Sequence, residues 1–171
     1  MKRIILLPLL IALTCIVSWA QINTPSVQGY ILRAQLMLKE GNPNGCRDQI
    51  VTALGMNPSD KELHDAKFLL AMSAVNNCDQ DAQQLIEDFL AQYPSSHLRS
   101  EALKAIADIN FDNGQYGAAL QQYLAVDQRA LNESLCEDLI YRRGFCRLMT
   151  ADYSLANQDF ETLRKTSRYG N

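Results

Sequence analysis

Apolar residues after position 26 recur at the three-to-four-residue spacing of amphipathic helices, and these helices come in pairs. In the clearest pair, Ile106 and Ala107 lie on one face of a first helix, and Ala119 and Tyr123 lie on one face of a second. The turn between them contains Gly114, which readily takes the left-handed conformation that ends a helix. No stretch alternates as a β-strand would. The pattern predicts an all-α fold built from helical hairpins.

The hairpin repeats with a period of 36 or 37 residues. The most informative column holds only small residues: Cys46, Ala82, Ala119 and Ala156. Four positions later each repeat has a large apolar residue: Ile50, Ile86, Tyr123 and Phe160. Three further columns hold turn residues (Gly41, Asn77, Gly114, Ala151), mostly small residues (Ala34, Leu70, Ala107, Gly144) and, in two repeats only, proline (Pro58, Pro94). The period predicts four hairpins, at approximately 27–62, 63–99, 100–136 and 137–171.

These columns resemble those of the tetratricopeptide repeat family. The third repeat matches best, at Ala107, Gly114, Tyr116 and Ala119, with Pro94 of the neighbouring repeat in the proline column. The resemblance covers nearly all of the chain after residue 26. It implies a right-handed α-solenoid of about four hairpins, in which the first helices line the concave face and bind a protein or peptide partner.

Residues 1–20 have the pattern of a secretory signal peptide. Lys2 and Arg3 precede a short apolar run, and Ser18 and Ala20 supply the small side chains that signal peptidase requires. We therefore expect cleavage after Ala20 and export of the remaining chain. The segment resembles the signal peptides of Bacteroidetes, and the repeats resemble those of bacterial envelope proteins, so the expected compartment is the periplasm.

Cleavage would leave a short lead at 21–26 and a repeat domain at 27–171. Two alternatives remain open for the apolar segment: an uncleaved inner-membrane anchor, and an outer-membrane lipoprotein attached through Cys15. In each case we expect membrane association only through this segment or through an associated complex.

Composition and charge exclude two further classes of protein, disordered chains and nucleic-acid binders. The chain is 47% hydrophobic and carries a formal net charge of −3, which is typical of an ordered domain and not of a disordered one. Nucleic-acid binding requires a concentrated basic surface, whereas the basic residues here are scattered. We expect no nucleic-acid partner.

Catalytic and metal-binding patterns are missing from the sequence. His64 and His97 are the only histidines, and neither has the spacing to a second ligand that a zinc site needs. The sequence has no nucleophile elbow and no phosphate-binding glycine loop. We expect a protein without enzymatic activity, metal or cofactor.

The cysteines admit two interpretations, because an exported chain can form disulfides. Cys136 and Cys146 lie ten residues apart on one predicted helix, too far to pair with each other. Cys46 occupies the small column and is expected to be a core thiol. The alternative is a disulfide between Cys46 and Cys78, which joins adjacent hairpins.

The partner surface is expected on the first helices, at Gln35, His64, Lys67, Lys104, Asp108 and Tyr141. Some tetratricopeptide proteins grip a C-terminal carboxylate with Lys and Asn, but Ile31, Gln35 and Phe68 occupy those places here, so this mode is not expected. The apolar stripe of Tyr141, Phe145 and Leu148 is either a peptide site or, as we favour, a packing face for another hairpin.

The expected function is that of a non-enzymatic protein-interaction scaffold in the periplasm, in envelope biogenesis or in the assembly of a complex. The alternative is an N-terminal fragment or regulatory module of a larger enzyme or repeat array whose functional part lies beyond residue 171. A solenoid needs a terminal unit with a polar outer face, but the last hairpin carries apolar residues: Tyr153, Phe160 and Leu163. We therefore expect either a truncation or an open edge that docks onto something, such as a second copy of the chain.

Overall fold

A computed structural model describes residues 26–166, which are all-α as predicted, with eight α-helices, one short 3₁₀-helix and no strand. The helices are α1 (Val27–Lys39), α2 (Pro43–Leu54), α3 (Asp60–Asn76), α4 (Ala82–Gln92), α5 (Arg99–Asp112), α6 (Tyr116–Ala125), α7 (Glu133–Met149) and α8 (Tyr153–Thr166). The 3₁₀-helix, Gln128–Ala130, lies between α6 and α7. The predicted signal peptide and Cys15 lie outside the described residues. Within residues 26–166, no helix combines the length and the apolar character that crossing a bilayer requires.

The chain divides into two compact units, at Asn77 and Cys78. The division falls inside the second predicted repeat, 63–99, between its two helices. In the first unit, α1, α2 and α3 all pack against one another. In the second unit, α4 packs against α5, the pairs α5–α6 and α7–α8 form hairpins, and α7 packs against both α5 and α6. We call α5–α6 the third hairpin and α7–α8 the fourth.

Side-chain caps begin α3 and α7, whereas α4, α5 and α6 begin without a side-chain cap hydrogen bond. Ser59 and Glu62 form a reciprocal capping box at the start of α3: the Glu62 N–H donates to Ser59 Oγ at 3.4 Å, and the Ser59 backbone N–H donates to Glu62 Oε2 at 2.9 Å. The Ser59 hydroxyl also donates to Glu62 Oε2, at 2.7 Å. These hydrogen bonds lower the pKa of the Glu62 carboxyl. Asn132 caps α7, where its Oδ1 accepts from the Leu135 N–H at 3.0 Å. Each cap pairs an N–H that would otherwise have no partner inside the helix.

All four residues of the predicted turn column lie in turns, and three of them take the left-handed conformation. Gly41, Gly114 and Ala151 all have positive φ, at 76°, 73° and 64°. Each is followed by a residue whose N–H bonds back to the helix, as Gln115 does to the Asn110 carbonyl at 2.8 Å. In the second repeat Asn77 lies in the turn as the C-cap of α3, and the left-handed residue is the next one, Cys78 (φ 54°).

The small column is buried, as predicted. The exposed fractions of its four members are 0–5%: Cys46, Ala82, Ala119 and Ala156. The large apolar column is buried at Ile50, Ile86 and Tyr123, and Phe160 is partly buried. Gly144 lies where α7 packs closely against α8, since a β-carbon there would be 2.9 Å from Phe160 Cε1. Pro58 and Pro94 lie in the connections that precede α3 and α5.

Each unit has its own apolar cluster. In the first unit this cluster is built on α1, α2 and α3: Ile31, Ala34, Cys46, Ile50, Ala53, Ala66 and Leu69. In the second unit it is built on α5, α6, the segment after α6, and α7: Ala107, Ala119, Tyr123, Val126, Leu139, Ile140 and Cys146. The periodic columns supply six of these fourteen buried residues: Ala34, Cys46, Ile50, Ala107, Ala119 and Tyr123.

Candidate interaction surface

The six predicted partner-binding residues divide between the two units. In the first unit, Gln35 on α1 is exposed, and His64 and Lys67 on α3 are partly buried. His64 Nδ1 lies 2.8 Å from Asp65 Oδ1. In the second unit the three residues are Lys104 and Asp108 on α5 and Tyr141 on α7. Lys104 and Asp108 contact each other, whereas the Tyr141 ring contacts Phe160, at 6.3 Å between ring centroids.

Lys104 is not an exposed residue, contrary to the expectation from the repeat alignment. Only 4% of it is exposed, and its ammonium lies 2.8 Å from Asp108 Oδ2 and 2.5 Å from Asp138 Oδ2. A buried ammonium is strongly unfavourable unless carboxylates pair with it. The two aspartates therefore hold this side chain inside the protein, where it joins α5 to α7.

Arg142 on α7 extends the same network across the partly exposed surface. Its guanidinium lies 2.9 Å from Asp112, 3.3 Å from Asp138 and 3.7 Å from Asp108. It also lies over the Phe111 ring, 4.8 Å from the centroid. Burial by itself would lower the pKa of Arg142, but the aspartates outweigh that effect and raise it above its usual range.

Tyr123 joins the same network through Asp108, from the interior of the third hairpin. Its side chain is fully buried, and its hydroxyl donates to Asp108 Oδ1 at 2.5 Å. Burial, together with the neighbouring Asp108 carboxylate, raises the pKa of Tyr123 above its usual range. Asp108 therefore accepts from a buried phenol and a buried ammonium at once, which restricts its use as a partner contact.

A second charged cluster joins the two helices of the fourth hairpin. Asp159 on α8 is 4% exposed, and its two oxygens accept from Arg143 at 2.6 Å and 3.1 Å. Arg147 also donates to Asp159, at 2.7 Å, and to the Leu155 carbonyl, at 3.3 Å. A bidentate guanidinium pair of this kind is geometrically specific. These arginines flank the apolar stripe, but they serve to pack α7 against α8.

Three aromatic rings form a cluster between the third hairpin and α7. Phe145 of α7 lies 5.4 Å from Phe111 and 5.5 Å from Tyr116, and those two rings lie 5.6 Å apart. All three contacts are close to edge-to-face, the favourable geometry for aromatic pairs. The packing interpretation of the apolar stripe is therefore confirmed for Phe145.

The other two members of that stripe are exposed. Tyr141 is 52% exposed and Leu148 is 43% exposed. Nine large apolar residues in the described part of the chain are exposed, and five of them belong to the fourth hairpin: Tyr141, Leu148, Met149, Tyr153 and Leu155. Exposed apolar groups concentrated in this way are typical of a surface that binds another protein.

All four cysteines between residues 26 and 166 are free thiols, and the alternative Cys46–Cys78 disulfide is not formed. Cys46 is fully buried, and its thiol donates to the Leu69 carbonyl at 3.8 Å, whereas Cys78 is exposed in a turn. Burial raises the pKa of the Cys46 thiol to about 11, and that of Cys146 also to about 11. Both buried thiols therefore stay protonated at neutral pH.

The histidines do not meet in a common site. His64 pairs with Asp65, and His97 is exposed near the start of α5. Burial raises the pKa of the Glu101 carboxyl, and nearby His97 offsets only part of that effect. Within residues 26–166, no three His, Cys, Asp or Glu side chains are grouped as a metal ion would require.

Sequence reasoning missed the residues that organise the charged networks. Asp138 and Asp159 are not among the six residues predicted for the partner surface, and no motif identifies Asp159. The four-residue spacings of Lys104 to Asp108 and of Asp138 to Arg142 indicate ion pairs within a helix. The pair between Lys104 and Asp138 joins residues 34 positions apart, and no local pattern predicts it.

Comparison of the chain with protein-family models, with curated proteins and with solved structures found no match.

Proposed function

We propose that this protein is an exported, tetratricopeptide-like repeat protein that acts as a non-enzymatic scaffold for protein–protein interaction in the bacterial periplasm. In this proposal the hairpins stack as a right-handed α-solenoid, and the protein serves envelope biogenesis or the assembly of a complex there. The all-α fold, the buried small column and the signal-like residues 1–20 support the proposal.

The observation that carries the proposal is the exposed apolar surface of the fourth hairpin. Tyr153 is 65% exposed and Met149 is 53% exposed, within a surface where the neighbouring Arg143 and Arg147 are already paired with Asp159. Water contact with large apolar groups is unfavourable, and covering them with a partner recovers that free energy. A scaffold uses this surface for recognition, without chemical turnover.

Proximity labelling in the source bacterium tests this function. The full chain is fused at its C-terminus to a peroxidase and compared with the same fusion lacking residues 1–20, which stays in the cytoplasm. We expect the full-length fusion to label a reproducible set of envelope proteins that the control does not label. Labelling of cytoplasmic proteins alone would contradict the proposal. Turnover by the purified chain that disappears in His64→Ala or His97→Ala would contradict it as well.

A further inference from the structure

The third hairpin packs one face against α7. The internal repeat allows the equivalent face of the fourth hairpin, which we call its outer face, to be compared with it. A shift of 37 residues takes Phe111 to Leu148 and Tyr116 to Tyr153. Phe111 and Tyr116 face α7, where the Phe145 ring packs against both of them at about the same distance, 5.4 Å and 5.5 Å. Leu148 and Tyr153 are the equivalent pair one hairpin later.

No helix of the described residues covers the equivalent pair as Phe145 covers the first. Phe111 and Tyr116 are partly buried beneath Phe145, whereas Leu148 is 43% exposed and Tyr153 is 65% exposed. The fourth hairpin therefore has the side of an interface that Phe111 and Tyr116 provide on the third hairpin, where α7 provides the other side. The interface with α7 shows what kind of element binds there: a helix that presents an aromatic side chain.

The charged residues of the complete interface are replaced by apolar ones on the fourth hairpin. Lys104 and Asp112 bind Asp138 and Arg142 of α7. Their equivalents 37 residues later are Tyr141 and Met149, which are 52% and 53% exposed. A helix that covers the fourth hairpin therefore needs apolar side chains at the two places where α7 carries a charge, because a charge there would be desolvated without a counter-ion.

We propose that the outer face of the fourth hairpin, defined by Tyr141, Leu148, Met149 and Tyr153, binds an amphipathic α-helix of a partner protein. The helix packs an aromatic side chain against both Leu148 and Tyr153, as Phe145 packs against both Phe111 and Tyr116. It places apolar residues against Tyr141 and Met149. This inference rests on the proposed scaffold function and names the surface and the kind of partner.

A peptide derived from α7 tests the site. The probe is a fluorescein-labelled peptide of residues 133–149 that carries Asp138→Leu and Arg142→Leu, with both cysteines replaced by alanine. We expect saturable binding to the chain lacking residues 1–20, measured by fluorescence anisotropy. A matched peptide that also carries Phe145→Ser should bind about tenfold or more weakly, because an aromatic anchor in a pocket dominates such interfaces.

Protein variants locate the binding. The double variant Leu148→Ser/Tyr153→Ser should weaken peptide binding about tenfold or more. Val51→Ser serves as the control, because Val51 is 60% exposed on α2 of the other unit, and it should leave the affinity unchanged. Circular dichroism confirms that both variants keep the helical content of the parent.

Three results would overturn the inference. The first is an absence of peptide binding, and the second is binding that the double variant leaves unchanged. The third is a concentration-dependent dimer in size-exclusion chromatography with light scattering, which the double variant converts to monomer; a second copy then covers this face. None of these results decides the scaffold function, since the envelope labelling experiment judges that separately.

Discussion

Gly144 of α7 packs directly against the ring of Phe160 of α8. A β-carbon at position 144 would lie 2.9 Å from Phe160 Cε1 and 3.1 Å from the Asp159 β-carbon. Real β-carbons essentially never approach another heavy atom as closely as 2.9 Å. This contact sets how closely the two helices of the fourth hairpin can approach, and it brings Asp159 within reach of Arg143.

Gly144→Ala should therefore destabilise the protein by about 1–3 kcal/mol through overpacking, although alanine is the better helix former. Urea denaturation followed by circular dichroism measures the change. Gly117→Ala is the matched control, because Gly117 also lies in a helix and a β-carbon there meets nothing within 4 Å. The control should be neutral or slightly stabilising, and equal losses in both variants would contradict the close approach.

Ala151 has φ 64° at the turn between α7 and α8, where Gly41 and Gly114 occupy the equivalent positions. A left-handed conformation costs an alanine about 1–2 kcal/mol, and glycine avoids that cost but loses more backbone entropy on folding. Ala151→Gly should therefore raise the free energy of unfolding by about 0.5–1 kcal/mol. The reverse change, Gly114→Ala, should lower it by a similar amount. A loss of stability in Ala151→Gly would refute the turn geometry.

The buried charges around Lys104 predict that removing a counter-ion lowers the free energy of unfolding more than removing the ammonium itself. Asp108→Ala removes the acceptor of the Tyr123 hydroxyl and one of two counter-ions of Lys104, so it should destabilise by about 2–4 kcal/mol. Lys104→Met removes the buried charge and keeps an apolar chain of similar length, so it should cost about 1 kcal/mol or less. Chemical denaturation of both variants tests this order. A larger loss in Lys104→Met would mean that the ammonium is a net source of stability.

The buried thiols predict a loss of stability in alkaline solution. The folded-state pKa values of Cys46 and Cys146, about 11, exceed the ordinary thiol value of 9.0. Because the folded pKa is raised, this stabilisation is fully present below about pH 9 and is lost as the pH rises through about 11. Each thiol should contribute about 1–3 kcal/mol to the fall.

Unfolding free energies measured between pH 8 and pH 11 test this dependence. The double variant Cys46→Ala/Cys146→Ala should show a shallower fall than the parent chain. The pKa of Tyr123 is also raised, so Tyr123 adds to the fall in unfolding free energy once the pH exceeds the ordinary pKa of tyrosine. Tyr123→Phe should therefore reduce the loss of stability further. Identical pH profiles in the parent and the thiol variant would contradict the assignment.

Thiol accessibility provides a separate test on the chain lacking residues 1–20. A chromogenic disulfide reagent should react first with exposed Cys78, more slowly with partly buried Cys136, and with Cys46 and Cys146 only after unfolding. The denatured chain should show four free thiols. Detection of only two would support the Cys46–Cys78 disulfide that this structure does not contain.

The sequence by itself determined the parts of the fold that depend on neighbours in the chain. Helical periodicity predicted the all-α class, and the 36–37-residue spacing identified the buried small column from Cys46 to Ala156. Gly41 and Gly114 indicated the positions of two turns, because glycine takes positive φ without steric cost. The six proposed contact positions follow from the repeat alignment; the expected exposure of Lys104 is wrong, and partner binding by the other five stays a prediction.

Only the tertiary structure decided which charged and apolar side chains are available to a partner. Lys104 has the sequence context of an exposed lysine, but packing of α5 against α7 brings Asp138 to it and buries both the ammonium and its stem. Tyr153 corresponds to Tyr116 in sequence, but no described helix supplies a ring to cover it as Phe145 covers Tyr116. Exposure depends on residues distant in the chain, and a local pattern carries no information about them.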